Sequence, residues 1–212
     1  MRTRKLAVGG GFEFTPDIHL DHRGLFFSPL QDEAFVAAVG HRFPVAQTNH
    51  SRSAKGVLRG LHFTATPPGQ VKYVYCARGK ALDAVVDIRV GSPTFGQWDL
   101  VTLDSESCRA VYIPDGLAHA FLAMEDDTVM SYLVSSAYRA ELEHAIDPFD
   151  PAIGLPWPNN VEYRLSARDT GAPRLAEAEA QGLLPKYADC LPTGPAAEPA
   201  VCPDQSGVAL RD

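Results

Sequence analysis

Between residues 45 and 136 the chain alternates short apolar runs with turn-forming residues, the pattern of successive antiparallel strands. Strands are predicted over 57–64, 71–77, 81–90, 98–103, 110–113, 118–124 and 128–134. Connectors such as Pro67-Pro68-Gly69, Arg78-Gly79-Lys80, Gly91-Ser92-Pro93 and Asp115-Gly116 supply the dihedral angles that tight turns demand. Helix is scarce: one is predicted over 33–39, stopped by Gly40, and one over 173–181, with Pro173 in its first turn and Gly182 beyond its end. After Tyr187 periodicity disappears and Pro, Gly and Ala accumulate. The expected organisation is therefore a single domain over 1–187, its core at about 45–136, followed by a mobile C-terminal tail over 188–212.

Alternation also sorts polar side chains by face. Leu82, Ala84, Val86 and Ile88 share one apolar face, which leaves Asp83 and Asp87 on the other, toward solvent or a polar cavity. Arg59 and His62 have opposite parity, so a flat strand points them apart unless a bulge intervenes.

With 212 residues, 45% of them hydrophobic, the chain is long enough for one substantial core. The net charge of -7 offers no general attraction for nucleic acid, so an anionic ligand must be held by a local cluster of Arg and Lys. The apolar run after the basic start is too short and glycine-rich for a signal peptide, and no stretch reaches the ~18 apolar residues of a membrane span. A cytoplasmic protein without membrane partner is expected. Cys76, Cys108, Cys190 and Cys202 form no CxxC pair and are expected as reduced thiols, although a Cys190–Cys202 bridge is geometrically open.

Seven histidines are present, none in a His-x-His pair. Alternate residues share a strand face, so that pair is what a metal site on a strand requires, and its absence argues against a metal enzyme. His62 and His119 instead stand singly on separate predicted strands, a placement suited to proton transfer. Lys72 shares its parity with Val74 and Cys76, so an inward ammonium needs a partner or a task. Tyr132, among Val129, Met130, Leu133 and Val134, reads equally well as core.

Several ordered motifs then make a resemblance specific. Gly56-Val-Leu-Arg-Gly-Leu-His-Phe63, Ala84-Val-Val-Asp-Ile-Arg89 with Gly91-Ser-Pro-Thr-Phe-Gly96, and Ile113-Pro-Asp-Gly-Leu-Ala-His-Ala-Phe121 together resemble the dTDP-4-dehydrorhamnose 3,5-epimerase family. Asp21-His-Arg-Gly24, Gln47-Thr-Asn-His-Ser51 and Asp150-Pro-Ala-Ile-Gly-Leu-Pro-Trp-Pro158 extend the likeness in order over residues 10–185. The resemblance implies an all-β, cupin-like jelly-roll barrel with a few short peripheral helices, paired as a homodimer and acting without metal or organic cofactor. It implies His62 as general base, Tyr132 as opposing general acid and Lys72 as the cation facing an enolate oxygen. Asp169 is the candidate to orient His62, with Asp83 as its rival. The implied substrate-binding set is Arg23, Gln47, Asn49, Arg59, His119, Tyr138, Glu143 and Arg168, with Tyr138 stacking on thymine. Read without the resemblance, Arg23 and Arg168 serve equally as surface ion-pair residues, Glu143 as a solvated charge and Tyr138 as core.

These residue types fit the implied chemistry, epimerisation at C3 and possibly C5 of a dTDP-4-keto-6-deoxyhexose. A proton beside a ketone becomes acidic only when charge on the carbonyl oxygen is stabilised. Inversion further needs a base on one face of the sugar and an acid on the other. Histidine, with an ordinary pKa of about 6.5, suits the first role and tyrosine, at about 10, the second. One departure stands out: Ser28, in Gly24-Leu-Phe-Phe-Ser-Pro29, occupies a position where rhamnose-pathway members commonly carry Glu. The variant resembles the branch that makes deoxysugars for secondary metabolites such as antibiotics. Two alternatives remain, a cupin-type dTDP-sugar ketoisomerase and a non-catalytic nucleotide-sugar binding module. Chelators are expected to leave activity intact, and a loss that added metal restores would overturn the metal-free reading.

Overall fold

The computed structural model describes residues 1–191. Its elements run β1 (Arg2–Lys5), β2 (Phe12–Thr15), β3 (His19–Asp21), β4 (Gly24–Phe26), α1 (Asp32–Val39), β5 (Gln47–Ser53), β6 (Leu58–Thr64) and β7 (Lys72–Arg78). There follow β8 (Lys80–Asp87), β9 (Trp98–Asp104), β10 (Ala110–Ile113), β11 (Leu117–Ala123), β12 (Thr128–Val134), β13 (Glu143–Ala145), α2 (Ala167–Thr170) and α3 (Leu175–Ala180). The strands expected from alternation and both expected helices are present within a few residues. The mobile tail expected over 188–212 lies outside the described residues from 192 onward, and Tyr187–Cys190 form a turn of 3-10 helix.

The expected jelly-roll barrel is corrected. The strands form a six-stranded sheet in the order β1-β2-β10-β7-β12-β5, a five-stranded sheet in the order β13-β6-β11-β8-β9, and the β3–β4 hairpin, and no sheet closes on itself. The two large sheets face each other across one apolar layer that includes Val74, Cys76, Val111 and Met130 from one and Val85, Val101, Leu103 and Phe121 from the other. Side chains, rather than ladder hydrogen bonds, hold their edges together. At one seam Arg4 of β1 reaches Asp99 of β9 at 2.9 Å, and Asp99 also accepts from the Ala7 N–H at 2.8 Å. At the other, β5 presents polar residues toward β6, and Arg59 spans the gap to Ser53 Oγ at 3.2 Å. Alternation reports which face a side chain takes, and that pattern is the same for an open sheet and a closed one.

Both outer faces are covered. An aromatic cluster under α1 seals the six-stranded sheet: Phe35 lies 5.7 Å from Phe14 and 5.1 Å from Tyr112, ring centroid to centroid. Gly40 ends that helix in the left-handed region, at φ 95°. The C-terminal segment covers the five-stranded sheet with Ile146, Ile153, Trp157, Leu175 and Leu184, packed on Leu58, Leu61, Ala84, Val86 and Ile88. The Asp150–Pro158 motif serves this docking: Trp98 Nε1–H donates to Ile153 O at 2.9 Å, and Asp150 accepts from the Leu175 N–H at 2.7 Å. Cys76 and Cys108 are buried free thiols, whereas Cys202 and its suggested bridge lie outside the described residues. No helix among the described residues is long and apolar enough to cross a membrane.

The parity conflict between Arg59 and His62 is resolved by an irregularity in β6. His62 pairs with His119 and Arg59 with Phe121, so three steps on β6 match two on β11, and both side chains turn to the same side. Gly60 occupies the slip at φ +123°, and a Cβ there would stand 2.5 Å from Ala120 Cβ and 2.6 Å from His119 O. Gly60→Ala is expected to cost about 3 kcal/mol through strain and overpacking, measured by urea denaturation, and to displace His62. A variant as stable and as active as the parent would show that the slip needs no glycine.

Candidate active site

Between the facing sheets, at the seam beside β5, lies a cavity of about 240 Å³ lined by Asn49, Arg59, His62, Lys72, His119, Tyr132, Tyr138 and Glu143, among others. Each sheet supplies part of the wall. Lys72 and Tyr132 project from neighbouring strands of the six-stranded sheet, and His62 and His119 from neighbouring strands of the five-stranded one. A wider, shallow groove of about 970 Å³ runs along Arg2, Arg4, Glu13 and Arg109, but Arg4 in it is already paired with Glu13 at 2.7 Å.

The C-terminal segment delivers a carboxylate to His62. Leu58 N–H donates to Arg164 O at 3.0 Å and Arg164 N–H to Gly56 O at 2.9 Å, which ties the chain before α2 to the start of β6. Ser166 then caps α2, accepting from the Asp169 N–H at 3.1 Å. Asp169 Oδ1 comes within 2.6 Å of His62 Nε2. Burial works against charge on Asp169, but His62, Ser166 and the Gly60 N–H together hold its carboxyl below the ordinary 3.8. An ionised carboxylate can only accept, so Nε2 carries the proton and Nδ1 of neutral His62 is the free base nitrogen. The choice between Asp169 and Asp83 is thereby answered in geometry, since Asp83 is bonded instead to His119, Oδ2 to Nε2 at 2.7 Å.

Two further groups have perturbed acidity. Burial lowers the Lys72 ammonium from 10.5; the Glu143 charge opposes that shift and the Arg168 charge adds to it. Lys72 makes no ion pair within 4 Å among the described residues. Tyr132 is raised above 10, chiefly by burial, and its hydroxyl lies 3.5 Å from Ser51 Oγ. A buried phenol of this kind keeps its proton until a strongly basic centre forms beside it.

The remaining expected residues fall unevenly around this core. Gln47 donates to Asn49 Oδ1 at 2.6 Å and accepts from the Tyr138 N–H at 3.3 Å, which ties β5 to the cavity mouth. Glu143 accepts from the Thr64 hydroxyl at 2.7 Å. Tyr138 is 57% exposed, so it is no core residue. Arg23 is not brought into the cavity: it sits on the β3–β4 hairpin, bonded to Asp21 at 2.6 Å. His50, Ser51, Gln70, Phe121 and Val134 also line the cavity and were not expected. Ser51 lies in the Gln47–Ser51 motif and shares the parity of Gln47 and Asn49, the one signal that would have found it. No group of three or more His, Cys, Asp or Glu among the described residues converges as a metal site would.

Comparison with known proteins identifies the family. The model of the family described as dTDP-4-dehydrorhamnose 3,5-epimerase matches residues 5–177. The chain belongs to the dTDP-4-dehydrorhamnose 3,5-epimerase family. It is 52% identical to the dTDP-4-dehydrorhamnose 3,5-epimerase of Mycolicibacterium smegmatis, over 90% of this chain and 94% of that one. It is 50% identical to a dTDP-4-dehydro-6-deoxyglucose 3-epimerase of Streptomyces bikiniensis, over 86% and 93%. The solved rmlC epimerase of Mycobacterium tuberculosis superposes with a TM-score of 0.87 at 48% identity, covering 90% of this chain and 96% of that one. The family thus contains similar relatives named for two inversions and for one.

The lowered pKa of Asp169 has a measurable consequence. Its folded value lies below its unfolded one, so its stabilising contribution is complete above about 3.8 and is lost as pH falls through the folded value. Asp169→Asn is expected to lose about 2 kcal/mol at pH 7, the scale of a hydrogen bond to a charged group. In urea denaturation the gap between the two proteins should close as pH is lowered past that range. A gap that persists undiminished in acid would remove the charged pair as its source.

Proposed function

We propose that this epimerase inverts C3 of a dTDP-4-keto-6-deoxyhexose, with C5 as the second position open to the same groups. Family membership and fold carry the activity itself, epimerisation of such a sugar at C3/C5 in deoxysugar biosynthesis. The observation that supports the residue roles is that His62, backed by Asp169, and Tyr132 project into one cavity from opposing sheets. A ring lying between them meets a base on one face and a proton donor on the other, which is what inversion requires.

In the proposed sequence His62 Nδ1 removes the proton beside the ketone while Asp169 supports the imidazolium that forms. Negative charge moves to the carbonyl oxygen, where the desolvated Lys72 ammonium stabilises it more strongly than a solvated cation would. The enolate carbon then takes the Tyr132 proton from the opposite side. Arg59, Asn49, His119 and Glu143 of the cavity lining hold the nucleotide sugar, helped by Gln47, which is bonded to Asn49, and by Arg168, whose charge reaches Lys72, and exposed Tyr138 offers a face for thymine at the mouth. Arg23 completes the set in a homodimer. The hairpin that bears it leaves Leu20 77% and Phe26 68% exposed, an apolar surface suited to a second copy that would carry Arg23 toward the partner's cavity.

Tyr132→Phe separates the two half-reactions. The ring and its packing stay, but the proton that completes inversion is gone, while His62 can still exchange the substrate proton with solvent. In deuterated water, epimer yield is expected to fall by ~10²-fold or more while deuterium continues to enter the substrate. NMR of one sample gives both quantities and also shows which carbon exchanges. If exchange and inversion both stay near the parent level, Tyr132 is not the acid.

A further inference from the structure

Two histidine–carboxylate pairs stand at this cavity, and the acid–base sequence above uses one of them. The second, His119 with Asp83, is the drier, at 6% and 0% exposed. His119 Nε2 lies 2.7 Å from Asp83 Oδ2, while Asp83 Oδ1 is buried with no partner. An unpaired buried polar atom costs about 1–3 kcal/mol, so its presence calls for a role beyond clasping one ring.

Position supplies the second observation. His119 is the cross-strand partner of His62, and its ring meets Tyr132 edge-on with centroids 6.3 Å apart. It neighbours both the group that takes a proton and the group that gives one. Carboxylates engage Nε2 of both histidines, which leaves each Nδ1 without a protein hydrogen bond among the described residues.

Inversion by two different groups does not leave the enzyme as it began. After one event His62 holds an extra proton and Tyr132 is a phenolate, a form that burial and the Asp83 charge both disfavour. One proton must travel from His62 to Tyr132 before the site can act again in the same direction, and the buried Tyr132 hydroxyl cannot draw it from bulk water while a sugar fills the cavity. We propose that His119, held by Asp83, relays this proton. His119 Nδ1 accepts it from the His62 imidazolium, directly or through one bridging hydroxyl. Asp83 supports the transient second imidazolium, and the same nitrogen yields the proton to the Tyr132 oxygen. Nothing is oxidised or reduced, and the enzyme returns to its starting protonation.

This relay rests on the assignment of His62 and Tyr132 as base and acid, and its test keeps the two apart. The first inversion per site needs no reset, whereas every later one does. The rate of the first inversion, from rapid quench with enzyme in excess over dTDP-4-keto-6-deoxyglucose, is compared with the steady-state rate. Asp83→Asn keeps the side-chain outline and an acceptor for His119 but removes the charge. It is expected to lower the ratio of steady-state to first-inversion rate by ~10-fold or more relative to the parent, with added imidazole restoring the ratio. A ratio equal to the parent's, with or without a general loss of rate, overturns the relay. Should Asp83→Asn fail to fold, His119→Gln, which removes the relaying nitrogen, is read by the same ratio. A parallel His62→Ala protein that completes the first inversion at the parent rate would remove the base assignment itself. Its inactivity beside an unchanged ratio would remove the relay alone.

Discussion

Side chains along a β-strand alternate between faces, and a base and a cation three positions apart therefore belong on opposite sides of a sheet. The candidate active site takes its form because β6 breaks this rule at Gly60, where three residues on one strand match two on the next. The slip turns Arg59 into the same cavity as His62, and it brings the Gly60 N–H to the Asp169 carboxylate. Those consequences share one backbone irregularity, so Arg59, His62 and the Asp169 carboxylate are positioned together. Docking of the C-terminal segment onto the same strand, through Gly56, Leu58 and Arg164, depends on the path that β6 takes before the slip.

Much of the fold could be read from alternation because its strands are buried on at least one face. β8 shows this plainly: Leu82, Ala84 and Val86 pack under the C-terminal segment, while Ala81 and Val85 face the opposite sheet with Asp83. The strand over 47–53 escaped notice because Gln-Thr-Asn-His-Ser-Arg-Ser carries no apolar face, its inward side being a cavity wall rather than a core. The open sheets escaped for another reason, since closure depends on backbone pairing between edges that side-chain patterning does not record. At the site, His62, Lys72, Tyr132 and His119 could be picked out as single polar residues on apolar strands, but spacing did not show that they converge; that expectation came from the resemblance. Arg23 could not be placed by such reasoning, because a single chain leaves its hairpin outside the cavity.

The electrostatics of the cavity follow from the burial of Lys72 and Tyr132. Lys72 is buried, so the charges of Glu143 and Arg168 act on it with less screening than at the surface. Burial gives Tyr132 a firm hold on its proton, and the Asp169 carboxylate stands against the His62 ring. A site built this way favours charge in motion between fixed partners over charge at rest. It has no need of a metal for the field that a ketone requires.

The seam at β5 carries a further implication for how such an enzyme can change. β5 ends the six-stranded sheet, so one row of its backbone groups has no neighbouring strand, and unprotected edges of this kind recruit strands from other molecules. Asn49 and Ser51 of its inward row border the cavity, as does His50 of the other parity, while Thr48 and Arg52 are exposed. Mutations that widen substrate range by making the inner row apolar would also raise strand propensity and remove polar character from the edge. Drift in substrate preference at this strand is thus coupled to colloidal behaviour, and the outward Arg52 is the residue whose loss would make such variants aggregate first.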